Sequence, residues 1–107
     1  MPTEPELSLV IPVYNGARTI GPLVDQAMKI FGSTSFEVVL VNDGSEDDSE
    51  KVCAELAAKF PQTVVFVHLS RNFGEHSAVL AGFTQSRGHY IAVLDDDGQN
   101  PPEEVVR

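Results

Sequence analysis

The sequence predicts an α/β fold, with three αβα layers built on a mainly parallel sheet. Three observations carry this expectation. Four short stretches rich in β-branched residues recur, at residues 7–13 (LSLVIPV), 36–42 (FEVVLVN), 63–69 (TVVFVHL) and 90–94 (YIAVL). Each is nearly continuous in apolar residues rather than alternating, the pattern of strands covered on both faces. Helical periodicity fills each interval between them, and strands that alternate with helices pair in parallel through right-handed crossovers.

After the first strand, Ile20, Leu23, Val24, Ala27, Met28 and Phe31 form an apolar stripe at helical spacing. Cys53, Leu56, Ala57 and Phe60 form a second stripe, and His76, Val79, Leu80 and Phe83 a third, with Gly88 placed as a glycine that ends a helix. Beyond the fourth strand, Asn100, Pro101, Pro102 and Glu103 read as the cap, first-turn prolines and capping-box acid of a further helix. No repeat, low-complexity tract or linker interrupts the order, so residues 1–107 are expected to form a single domain with one modest core. Open parallel sheets bind ligands beyond the carboxyl ends of their strands. That rule singles out residues 14–18, 43–48, 70–75 and 95–100.

A hydrophobic fraction of 42% with seven prolines fits a folded globule. Sixteen acidic and seven basic residues leave a formal charge of -9, which repels nucleic acid and anionic lipid. No nucleic-acid partner is expected, and an anionic ligand would need a cation as mediator. Cys53 is the single cysteine, which excludes an internal disulfide and fits a reducing cytoplasm. The start, MPTEPELS, lacks a basic segment followed by an apolar one, and no apolar run approaches the roughly 20 residues of a spanning helix. The expected location is cytoplasmic, with any membrane association of the full-length protein made from the cytoplasmic face.

Two common phosphate-binding patterns fail. Gly16 and Gly21 have the Walker spacing but are followed by Pro22 and Leu23, and no G-x-G-x-x-G occurs. An EF-hand loop with Gly98 at its turn would put Asp95 and Asp97 correctly but Val93 at the first ligand position. The run Asp95, Asp96, Asp97 itself remains. Adjacent carboxylates repel by about 4 kcal/mol at ~4 Å in an effective dielectric near 20, so solvent or a cation must relieve them. A solvated turn is one reading. In the other, an extended segment puts Asp95 and Asp97 on one side and Asp96 on the opposite side. Those two carboxylates and the Gln99 amide oxygen would then offer hard ligands to Mg2+ or Mn2+, ions that keep waters and substrate phosphates in their other positions.

The segments LSLVIPVYNGARTI, VVLVNDGSEDDS and LSRNFGEHSAVLAGFTQSRGHYIAVLDDDGQNPPEE together resemble the nucleotide-binding half of family-2 inverting glycosyltransferases. Within that family they are most similar to enzymes that transfer a sugar to polyprenyl or dolichyl phosphate. The resemblance runs from about Leu7 to Arg107 and implies a Rossmann-like GT-A fold, here its amino-terminal half. It also implies a nucleoside-diphosphate sugar donor (UDP- or GDP-sugar), Mg2+ or Mn2+, and a polyprenyl phosphate acceptor in cell-envelope glycan synthesis. Displacement at the anomeric carbon would proceed with inversion. Members of the family continue well past this point, so the expectation is a fragment of a longer chain, inactive alone, with the acceptor site and any catalytic base elsewhere.

By the same resemblance, Pro12, Tyr14 and Asn15 form the nucleotide pocket with Asp43, which accepts a hydrogen bond from the base; the other reading of Asp43 is an ordinary turn aspartate. Asp95 faces the nucleoside and ribose, Asp97 and Gln99 hold the metal, and Asp96 counts with the nucleotide site although its side suggests a structural or solvated residue. Arg71 and Asn72 either approach the sugar nucleotide or brace their loop. Glu75 and His76 depart from the lysine that many relatives carry, and His76 reads as a core or capping histidine. Asp47 and Asp48 are expected to serve the following helix N-terminus. A competing reading is a non-catalytic α/β module that binds magnesium or a nucleotide. A receiver-like module would need an acidic pair where Val13, Tyr14 and Asn15 stand, and a nucleotidyl transferase a glycine-rich basic loop where only Arg18 is basic. The open edge of the strand at 90–94 is expected to make the chain a homo-oligomer.

Overall fold

The computed structural model describes residues 5–32 and 35–94. The order is β1 (Leu7–Val13), α1 (Ile20–Phe31), β2 (Phe36–Asp43), α2 (Ser49–Lys59), β3 (Val64–Leu69), α3 (Glu75–Gln85) and β4 (Tyr90–Val93). The four strands form one parallel sheet in the order β3-β2-β1-β4. The steps from β1 to β2 and from β2 to β3 run in one direction, whereas the step from β3 to β4 crosses back over the sheet. Right-handed crossovers therefore put α1 and α2 on one face and α3 on the other.

The packing agrees. Leu9, Ile11, Val13, Val38 and Leu40 meet Ile20, Val24 and Ala27 of α1 and Cys53 and Leu56 of α2. Val10, Val39 and Val41, which point the other way, meet Ala78 of α3. Both central strands are thus covered on both sides, which is why their sequences show no alternation. β3 begins one residue later than its apolar run, because Thr63 closes a turn onto the Phe60 carbonyl. Among the described residues no helix is long and apolar enough to cross a membrane.

Two expectations are corrected. The stripe His76, Leu80 and Phe83 does not face the core: His76 is exposed, and Leu80 and Phe83 are 50% and 42% exposed. α3 instead seats on Ala78 and Gly82, and a Cβ on Gly82 would lie 2.4 Å from Val10 Cγ1. The helix approaches the sheet too closely for a large side chain on that face. Nor does Gly88 end α3, whose C-cap is Ser86.

β4 is an edge of the described sheet. Ala92 and Leu94 pack on the α1 side, while Tyr90, Ile91 and Val93 are exposed. Val93 pairs with Val10 and Ile91 with Ser8, so both lie on the α3 side.

Candidate functional site

At the carboxyl rim of the sheet, three strand-helix loops are tied together by short polar side chains. Asn15, the second residue after β1, has φ 54°, a left-handed conformation that asparagine tolerates better than most residues. The turn lets its N–H donate to Ser45 Oγ at 3.0 Å while its Oδ1 accepts from the Glu46 N–H at 2.9 Å. Gly16 N–H donates to Ser49 Oγ at 2.8 Å, and Ala17 N–H to Asp47 Oδ2 at 3.2 Å. Four bonds therefore join the first loop to the second, and each satisfies a backbone donor that the loop could not pair by itself.

Asp47 does more than serve a helix end. Its Oδ1 accepts from the Ser49 N–H and hydroxyl, at 2.9 and 2.5 Å, while Oδ2 takes Ala17 from the neighbouring loop. The slight desolvation of this exposed residue pushes its carboxyl up, but the bonds from the Ser49 hydroxyl, the Ser49 amide and the Ala17 amide outweigh this and hold it below the ordinary aspartate value. Asp48, the N-cap position of α2, makes no side-chain cap bond.

Asp43 joins the second loop to the third. It is buried, with Oδ1 accepting from the Phe73 N–H at 2.8 Å and Oδ2 from the Gly74 N–H at 3.0 Å. Gly44, next in sequence, has φ +64°, and a Cβ there would fall 2.2 Å from Asn72 N and 2.3 Å from Arg71 C. Only glycine permits both that conformation and that approach. Beneath Asp43, the buried Asn42 accepts from Ser45 Oγ and meets His68 Nδ1 through its Nδ2 at 3.2 Å. On the outer side, the Arg71 guanidinium lies 4.9 Å from the centre of the exposed Phe73 ring, within cation–π range.

The structure thus brings Tyr14, Asn15, Asp43 and Arg71 to one rim, with Tyr14 46% exposed. Pro12 is buried in β1, opposite Val41 of β2; the β1–β4 ladder ends at Val10, so the missing Pro12 N–H interrupts no described pairing. Asp95, Asp96, Asp97 and Gln99, and the helix expected from Asn100, lie outside the described residues. Among the described residues no group of three or more His, Cys, Asp or Glu could hold a metal ion. Ser45 and Ser49 were missed from sequence, although the density of Asn, Asp and Ser in NDGSEDDS marks a loop braced by side-chain bonds to backbone.

Comparison with known proteins adds three findings. The sequence profile described as Glycosyl transferase family 2 matches residues 8–107. The chain is 46% identical over 103 residues to the undecaprenyl-phosphate 4-deoxy-4-formamido-L-arabinose transferase of Pseudomonas aeruginosa (strain LESB58), covering 94% of this chain and 30% of that protein. It is 41% identical over 104 residues to the transferase of the same name from Proteus mirabilis (strain HI4320), covering 95% and 32%. Among solved structures, S. aureus TarS superposes with a TM-score of 0.74 at 26% identity, over 86% of this chain and 27% of that one. The mannosyltransferase PcManGT from Pyrobaculum calidifontis also gives 0.74, at 22% identity, over 89% and 28%. The chain spans about a third of the length of these relatives. With nearly all of its residues matched by the profile, the chain belongs to glycosyl transferase family 2.

Proposed function

We propose that the chain is the donor-nucleotide part of an inverting glycosyltransferase that moves a sugar from a nucleoside diphosphate to a polyprenyl phosphate. The observation that carries this reading is the rim itself. Asp43 locks two loops together beneath exposed Tyr14, Phe73 and Arg71, and the segment DDDGQ follows directly after Leu94, whose N–H is bonded to the Val10 carbonyl. The relatives named for undecaprenyl-phosphate sugar transfer, and the TarS complexes with UDP and UDP-GlcNAc, support the same acceptor and donor classes.

In this reading Pro12, Tyr14 and Asn15 hold the nucleoside with Asp43, whose oxygens retain lone pairs beyond the two amides they accept. Asp95 would face the nucleoside and ribose, Asp96 counts with the nucleotide site from the opposite side, and Arg71 approaches the sugar nucleotide. Asp97 and Gln99 would hold Mg2+ or Mn2+, a donor set of hard oxygens that fits either ion. When bound, the ion supplies neutralisation of the charge that develops on the leaving diphosphate. A phosphate acceptor is already ionised and needs little help from a general base. We place the acceptor site in residues beyond this chain, and the reaction at the cytoplasmic face of a membrane, where a lipid-linked acceptor meets its donor.

Calorimetric titration of UDP, GDP, CDP and their sugars, with and without Mn2+, tests the reading. One nucleotide should bind at least about tenfold more tightly with Mn2+, and Asp97→Ala should erase that difference. An Asp97→Ala variant with unchanged affinity and unchanged Mn2+ dependence would overturn it. We also infer self-association of the chain through β4, where Tyr90, Ile91 and Val93 are exposed along a sheet edge. Light scattering at high concentration should show an oligomer; a monodisperse monomer would contradict this.

A further inference from the structure

The register of β4 is weakly determined by its own side chains. It pairs with β1 over four residues, from Leu7–Tyr90 to Val10–Val93. Ile91 and Val93 project to one face and Ala92 and Leu94 to the other. Both sets are apolar. Register is strongly specified where one face is buried and the other polar, because a slip by one residue then exposes the apolar set. In β4 a slip toward the rim exchanges one apolar set for another, with Val93 taking the buried place of Leu94, so the side-chain pattern resists it weakly.

A buried carboxylate supplies what the pattern lacks. Glu37, the second residue of β2, lies at the amino end of the sheet, opposite the rim, and is 1% exposed. Its Oε2 accepts from Ser8 Oγ at 2.6 Å and from the Arg87 N–H at 2.7 Å, and its Oε1 from Arg87 Nε at 3.2 Å. The Ser8 hydroxyl in turn accepts from the Gly88 N–H at 2.8 Å. Ser8 stands opposite Glu37 on one side and Ile91 on the other, so this chain of bonds ties β2 and β1 to the segment that leads into β4. Gly88 sits so close to β1 that a Cβ would lie 2.6 Å from Ser8 Oγ and 2.7 Å from Ser8 N. Two consecutive amides just before β4 are therefore gripped from β1 and β2, and the Tyr90 N–H then bonds the Glu6 carbonyl.

We propose that Glu37 is a positioning residue: by holding Arg87 and, through Ser8, Gly88, it sets the register of β4 and so fixes the place of Leu94 at the carboxyl rim. The functional consequence rests on the reading above, which puts the metal on residues that follow Leu94 in sequence. A slip of one residue moves Leu94 by about 3.3 Å along the strand, whereas a preorganised site tolerates only about 0.5 Å.

Amide hydrogen exchange on the chain, free of metal and nucleotide, tests the register. In Glu37→Gln the amides of Tyr90 and Leu94 should exchange at least about tenfold faster, the effect of losing one hydrogen bond to a charged group. Amides of the β1–β2 ladder should stay within about twofold of the parent chain. Equal acceleration in both strand pairs, or none at Tyr90 and Leu94, would overturn the proposal. Should Glu37→Gln fail to fold, Ser8→Ala decides by the same criterion, since it removes the Gly88 tether and leaves the Arg87 bonds in place. Nucleotide titration supplies a second readout. Glu37→Gln should lose the Mn2+-dependent gain in affinity and keep the metal-independent affinity, while a parallel fall in both reduces Glu37 to general stabilisation and sinks the positioning role. If the parent chain shows no Mn2+-dependent gain, it is the proposed function that fails, and exchange alone decides the register.

Discussion

Replacing Gly44 by alanine is expected to destabilise the chain by more than about 3 kcal/mol. The left-handed backbone at φ +64° costs an alanine about 1–2 kcal/mol by itself. The new Cβ would also fall against Asn72 N and Arg71 C, which are backbone atoms and cannot rotate aside. The second and third loops must then separate, which stretches the two amide bonds to Asp43, each worth about 1.5–3 kcal/mol as a bond to a charged group. Urea unfolding should show a lower midpoint at unchanged slope. Gly21→Ala is the matching control: nothing lies within 4 Å of that Cβ, and the site is in the first turn of α1. It should raise stability by about 0.5–1 kcal/mol, so the two substitutions are expected to differ in sign.

Asp43→Ala should cost about 1–3 kcal/mol, because it strands the Phe73 amide in a partly buried loop and leaves the Gly74 amide with Asn72 Oδ1 as its remaining acceptor. Asp43→Asn separates the two jobs assigned to this residue. A carboxamide can accept from one of the amides but turns an NH2 toward the other, so it should recover roughly half of the lost stability. If Asp43 also accepts from the base, nucleotide affinity in folded Asp43→Asn should fall by at least about tenfold, the cost of an unpaired polar group in the site. Parent-like stability of Asp43→Ala would refute the bracing role, and parent-like nucleotide affinity of Asp43→Asn would refute the base contact.

Local pattern made the layers readable and long-range contact hid the site. The bounds of β1 and the whole stripe of α1 follow from continuous apolar runs and helical spacing, and the structure reproduces both. The stripe of α3 misled because helical periodicity names an apolar face without saying whether large or small side chains meet the sheet. There the close approach at Gly82 selected the small ones. At the rim, NDGS identified a turn at a strand end but not its partners: Asp43 reaches amides 30 and 31 residues away, and Asn15 is bound to a serine 30 residues on. Glu37 is the extreme case. An acid inside FEVVLVN looks like a blemish in a buried strand until Arg87, fifty residues later, is seen to donate to it.

The seating of α3 has its own consequence. Because Ala78 and Gly82 meet the sheet, this helix spends its least bulky residues on the inner contact and holds Leu80 and Phe83 outward. It is a two-sided spacer: a second layer of polypeptide laid over it would find greasy knobs already presented, and could be added without repacking anything beneath.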